Sequence, residues 1–406
     1  ASALLLCAAV LLLPSSAVAL PPSLGTVVIT VPNTVLSGDI ISAPIADGLV
    51  ARIKNAGELN NVKISNSGSS GGGVNLKSAD LTVTNSDISA TGSASKGVYL
   101  DNSMINIADS AISTANGTGI YAKNGSDVTV KGGSINKASG MGDEYGAYAE
   151  AGSSLDISGT NIVVSSDQSH GVCVNRNSFL KLTNVSIDVT GDYTRGIWVQ
   201  ESSSADIKDT VVTTRSNRGT GVQIWNNSAV QMDNVRITTY GDAGKDAVSG
   251  HGVYVTEGWP GAPLATATTV IKNSVIKTFG RGTAGVMADN GSKVQLIDTD
   301  VETSGVNAQG LYAAINSSVE MRGGSLTTTG DGASAGYALN KSELTLDSTK
   351  IKVGGNAYAF RIYDSTVNLK NILNLDNALG GLAHTGSSGT LNLESSEVIG
   401  EVYHTG

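Results

Sequence analysis

Along most of the chain, apolar and polar residues alternate over runs of about five and then stop at a turn. The runs share one form: a small residue, any residue, an aliphatic, any residue, an aliphatic. Ser103-Met-Ile-Asn-Ile, Ser126-Asp-Val-Thr-Val, Ser178-Phe-Leu-Lys-Leu, Ser228-Ala-Val-Gln-Met and Ser342-Glu-Leu-Thr-Leu are clear copies. A period of two places every second side chain on one face, which predicts short half-buried strands. A second alternation follows a turn, as in Asn184-Val-Ser-Ile-Asp-Val. After a variable Gly-rich stretch comes a third piece, Gly and then apolar residues: Gly97-Val-Tyr, Gly119-Ile-Tyr, Gly196-Ile-Trp, Gly252-Val-Tyr. Beyond residue 20 no stretch carries the 3.6 period of a long helix.

Fourteen copies of the first run start at Gly57, Ala79, Ser103, Ser126, Ser153, Ser178, Ser203, Ser228, Ala267, Ser292, Ser317, Ser342, Ser365 and Gly389. Most spacings lie between 22 and 27 residues, and the interval from Ser228 to Ala267 is 39. Three short strands per repeat of ~20–30 residues predict an all-β chain, a single parallel β-helix of about fourteen coils of ~25 residues. The recurring serine is expected at a corner, its hydroxyl satisfying local backbone. Residues 20–56 read as an N-terminal cap and first strands, and 57–406 as the β-helix. The chain stops one coil after the last copy without a matching cap, so a C-terminal truncation is expected.

Composition sharpens this picture. Fifty glycines are about 12% of the chain, and charged residues make up only 15%. The net charge of −9 argues against nucleic acid, which needs a basic face, and against docking on anionic lipid. Four His and two Cys make a Cys/His metal site unexpected, and no metal or other cofactor is implied. Leu4 to Leu13 is a short apolar run followed by the small-x-small triplet Ala17-Val18-Ala19. Residues 1–19 are therefore expected to be a secretory signal peptide, incomplete at its N-terminus. Cleavage there leaves Cys173 as the single cysteine, at the repeat position that Tyr99 and Trp198 hold elsewhere.

Coils of the type Gly-Val-Tyr-x-x-x-x-x-Ser-x-Val-x-Leu, scarce Cys and abundant Gly, Ser, Thr and Asn resemble the pertactin-like passenger domains of bacterial autotransporters. The resemblance is one of pattern, over nearly all of residues 20–406. It implies a right-handed β-helix exported through the periplasm to the cell surface or medium, and a role in adhesion, cell–cell aggregation or virulence. It also implies a host or bacterial surface protein or glycan as partner, with self-association as a further mode. The family's membrane barrel, of ~10-residue alternating strands with aromatic girdles, has no counterpart near the C-terminus.

Function on such a scaffold is expected in the variable loops between second and third strands. They carry Tyr193, Arg195, Tyr240, His251 and Trp259, which are the candidate binding residues. Trp259, in a Pro/Gly-rich stretch of the 39-residue interval, is suited to stack on a sugar or anchor a protein. Asp143, Asp167 and Asp192 lie in three successive repeats. Stacked in register they would form a carboxylate row for acid/base work, which makes a polysaccharide lyase or glycoside hydrolase the alternative. A passive surface stalk is the third reading. Gly280-Arg-Gly-Thr-Ala-Gly285 matches the dinucleotide pattern, but no helix is predicted after it.

Overall fold

The protein was analysed as a computed structural model, which describes residues 57–405 apart from 68–71, 141, 244–248, 259–267, 374, 378–379 and 387, together with strand backbone between 18 and 53. It is an all-β, right-handed parallel solenoid of about thirteen turns, with no helix among the described residues. Each of the fourteen copies counted in sequence forms a strand. The chain divides into two compact units, residues 1–163 and 164–406.

In the first unit each coil contributes one strand to each of three parallel ladders. The first ladder runs through Gly57–Asn60, Asp80–Thr84, Met104–Ala108, Asp127–Lys131 and Ser154–Ser158. Leu81, Ile105 and Val128 stand in one inner column, and Val83, Ile107 and Val130 in the other. All six are buried, each worth ~1.5–3 kcal/mol of transfer free energy for a fully buried aliphatic side chain. In one coil the second and third strands fuse into a single 13-residue strand, Ala111–Lys123. Strands Val27–Ile29, Thr34–Ser37, Ile40–Ala43 and Leu49–Ile53 continue the same parallel ladders ahead of the first sequence copy. Val18–Ala19 pairs with Leu36–Ser37, and residues 1–17 lie outside the described residues.

The second unit repeats this plan. Leu182, Ile207, Met232, Ile271, Leu296, Met321, Leu346 and Leu369 form one inner column of the first ladder. The third ladder's inner column runs through Val172, Ile197, Val222, Val253, Val286 and Leu311 to Gly336 and Phe360. Phe360 is fully buried, and the vacancy it needs is the missing side chain of Gly336, where a Cβ would sit 2.8 Å from the Phe360 ring.

The corner serine acts as expected, and with a direction. The amide of Ser203 donates to the hydroxyl of Ser228 in the following coil at 3.2 Å, while that hydroxyl donates to the Trp225 carbonyl at 2.7 Å. Ser178 to Ser203, Ser292 to Ser317 and Ser317 to Ser342 repeat the amide-to-hydroxyl bond, as do Ser103 to Ser126 and Ser126 to Ser153 in the first unit. Every such bond satisfies a buried amide that a wider turn would leave unpaired.

A glycine column explains the Gly that opens each third strand. At Gly97 a Cβ would lie 2.6 Å from both the Gly119 carbonyl oxygen and an Ile112 methyl. At Gly221 it would lie 2.5 Å from the Gly252 carbonyl oxygen and closer still to an Ile237 methyl. Here the backbones of successive coils approach where a side chain has no room.

Candidate functional site

The outward side of the third ladder in the second unit carries Cys173, Trp198, Gln223, Tyr254, Met287, Tyr312 and Tyr337 in register. Cys173 therefore shares a column with Trp198, as the repeat implied; it is a buried thiol whose sulfur accepts a bond from the Gln200 amide at 3.4 Å. Burial pushes the Tyr312 hydroxyl up to about 12.

Arg195 was expected on the loop edge but opens the strand Arg195–Val199 and folds over the sheet. Its guanidinium lies 4.1 Å from the centre of the Trp198 ring, and its Nε donates to Gln223. Its backbone amide donates to His170 Nδ1 at 3.1 Å. His251 makes the same bond at the corresponding place, accepting the Ala284 amide on Nδ1 at 2.9 Å. The expectation of an exposed binding histidine does not hold, because His251 is buried at 2% exposure and serves as a staple between coils.

The loop edge itself is formed where second strands end. Tyr193 is 46% exposed with a left-handed backbone (φ 57°), and the Arg218 guanidinium lies 4.1 Å from its ring centre. Tyr240 is 47% exposed and stacks on Phe279, ring centres 5.0 Å apart and planes within 9°. Arg215 approaches the other side of Tyr240, its guanidinium carbon 5.9 Å from the ring centre, while its Nε donates to both oxygens of Asp188 at 2.9 and 3.1 Å. Arg215, Tyr240 and Phe279 each follow the last residue of a second strand, in three consecutive coils. Two arginine–aromatic stacks thus stand on one edge of the second unit. Cation–π geometry of this kind contributes ~0.5–1 kcal/mol each at exposed sites and, more usefully here, holds long side chains in place.

The carboxylates have a different use. Asp167 Oδ1 accepts the Asp192 amide at 2.9 Å, and Asp242 Oδ1 accepts the Arg281 amide at 2.7 Å. An aspartate in one loop caps the loop of the next coil. Asp143 is exposed beside a recess of the first unit, and Asp167 and Asp192 belong to the second. Among the described residues no group of three or more His, Cys, Asp or Glu side chains could hold a metal ion. Trp259 lies outside the described residues.

Glu257, in the 39-residue interval, is buried, and its Oε2 accepts the Asn227 amide at 2.6 Å. Burial raises its pKa above the ordinary glutamate value against the opposing pull of that hydrogen bond. The folded state therefore holds the proton more tightly than the unfolded chain, so ionisation costs stability as pH rises through the raised value. Glu257→Gln should be more stable than the parent at pH 8, and the gap should close below the unfolded glutamate pKa of ~4.3. Denaturant midpoints across pH 4 to 8 check this; a gap independent of pH would refute it.

A right-handed β-helix region model matches residues 22–168. No curated protein matches the chain. Among solved structures, a chain of the cryo-EM Vag8–C1 inhibitor complex is 17% identical, with 96% of this chain and 99% of that one covered and a TM-score of 0.63. That likeness establishes the fold. A point mutant of the periplasmic alginate epimerase AlgG aligns at 12% identity over 78% of this chain and 77% of that one, TM-score 0.42. A tailspike mutant of E. coli bacteriophage HK620 aligns at 12% identity over 93% and 74%, TM-score 0.35.

Proposed function

We propose that this chain is the exported passenger of an autotransporter-type surface protein, acting in adhesion, cell–cell aggregation or virulence, with residues 1–19 as its export signal. The partner it fits best is a protein at a cell surface, engaged by the loop edge of the second unit. The observation that carries this reading is the pair of exposed arginine–aromatic stacks, Tyr193 with Arg218 and Arg215 with Tyr240 and Phe279. Tyr and Arg are enriched in binding hot spots, and these are already ordered by their neighbours. Support also comes from Vag8, which shares the fold and has been captured with C1 inhibitor, a protein. A polysaccharide-cleaving groove draws no comparable support, since Asp167 is engaged by a backbone amide.

The test is attachment of cells displaying the protein. Tyr193→Ala, Arg218→Ala and Tyr240→Ala combined should lower attachment about tenfold or more at an unchanged melting temperature, since a hot-spot side chain is worth ~2 kcal/mol. Undiminished attachment would remove this edge from the binding face. Trp259→Ala is the companion variant, and an equal loss there would extend the face into the long interval.

A further inference from the structure

We infer that the loop edge of the second unit recognises an aromatic residue with a carboxylate beside it in the partner protein, the ring seated against the outer face of Phe279 and the carboxylate on Arg281. This rests on the adhesive reading of that edge and names the chemistry it engages.

The seat follows from the ladder. Each residue after a second strand donates its amide to the coil before: Tyr240 to Thr214, Phe279 to Thr239, Ser304 to Thr278 and Thr329 to Thr303, all at 2.9–3.0 Å. Tyr240, Phe279, Ser304 and Thr329 therefore stand in one column, rising about 4.8 Å per coil. The Tyr240 and Phe279 rings are 5.0 Å apart and within 9° of parallel, so Tyr240 takes one face of Phe279. On the other side the next column member is Ser304, whose side chain is too short to cover a ring. Phe279 is 41% exposed, and among the described residues no second ring and no cation lies over it. Val306, two residues beyond Ser304 and 47% exposed, adds apolar surface. A partner ring set over Ser304 would lie one coil step from Phe279, within the ~4.5–7 Å centroid range of aromatic pairs.

Charge decides what accompanies the ring. Gly280, Gly305 and Gly330 stack so closely that a Cβ at Gly305 would lie 1.8 Å from the Gly280 carbonyl oxygen, which brings Arg281, Val306 and Asp331 into line. Arg281 is exposed, and its guanidinium has no ion pair, hydrogen bond or ring contact among the described residues. Asp242, on the Tyr240 side, gives Oδ1 to the Arg281 backbone amide at 2.7 Å. Asp331 stands two coils beyond Arg281, about 10 Å along the ladder. Lys277 and Glu302 close on each other at 2.6 Å, while Arg215 is bonded to Asp188 and Arg218 lies over Tyr193. The cation left beside the seat is Arg281. It opposes an incoming lysine or arginine and favours a carboxylate next to the ring.

Ligand-observed NMR titration of the full chain tests this, with the blocked tetrapeptides Gly-Trp-Asp-Gly, Gly-Trp-Lys-Gly and Gly-Leu-Asp-Gly as probes. The first should bind with a dissociation constant of about 1–10 mM, at least about fivefold more tightly than either of the others. Phe279→Ala should abolish binding, and so should Ser304→Leu, which fills the seat. Arg281→Gln should erase the preference for Asp over Lys. Unchanged melting temperatures check that these variants keep the fold. No binding, equal binding of the three peptides, a preference that survives Arg281→Gln, or tighter binding of a sulfated disaccharide would each overturn the assignment. Cell attachment reads the adhesive function separately. Selective peptide binding, with attachment undiminished in the combined Tyr193, Arg218 and Tyr240 variant, would overturn the adhesive reading and uphold this recognition.

Discussion

Gly221→Ala is expected to unfold the second unit at markedly lower denaturant concentration, at a cost of about 3 kcal/mol. The new methyl would face the Gly252 carbonyl oxygen at 2.5 Å and crowd Ile237, and the carbonyl belongs to a ladder that cannot shift without disturbing the next coil. Two glycines of the same unit serve as comparisons. Gly282 has open space but φ of +69°, so alanine there should cost ~1 kcal/mol of backbone strain. Gly354 has neither constraint, with its nearest atom 3.5 Å away, and Gly354→Ala should be neutral or slightly stabilising. Urea titrations of the three variants check the order; equal losses would mean that close approach of backbones is not what selects Gly221. The position is not closed to every Cβ along the column, since Ala335 and Ala359 occupy it further on.

The second large effect concerns Lys137, a lysine buried at 1% exposure. Its ammonium meets Glu144 at 2.7 Å and donates to the Ser139 carbonyl at 2.6 Å. Removing the carboxylate by Glu144→Leu should cost about 3–5 kcal/mol, because the buried ammonium then loses the carboxylate it meets at 2.7 Å. The joint change Lys137→Met with Glu144→Leu should recover most of that loss, since well-packed apolar pairs replace buried ion pairs at little or no cost. A double-mutant cycle from thermal or urea unfolding of the three variants measures the coupling. A double variant as unstable as Glu144→Leu alone would show that the pair is not a closed electrostatic unit.

The coil was readable from the recurrence of Ser-x-aliphatic-x-aliphatic because a ladder in register forces the same residue class into each column. Pairs of side chains between coils follow the same arithmetic. Tyr193 and Arg218 are 25 residues apart, and Tyr240 and Phe279 are 39 apart, matching the local repeat intervals. Phe279 is the residue that loop inspection missed. His170 lies in a 25-residue coil and His251 beside the long interval, yet both accept a neighbouring coil's amide. Lys137 stands inward by simple alternation, in register with Thr114. The recess beside Asp143 was hidden in the sequence. Its walls come from loop ends of unequal length, and alternation carries no information about where such ends meet.

The hydroxyl that the serine of each coil offers to the amide before it makes the joint between neighbours identical at every step where it occurs. A 25-residue block such as the one between Ser203 and Ser228 can therefore be copied or lost in the gene while the flanking blocks still meet across the same bond. Heredity can change the number of coils without redesigning the interior, and selection on the columns does not restrain the loops. Length and loop identity are thus the variable characters of such a chain, and its cross-section is the conservative one.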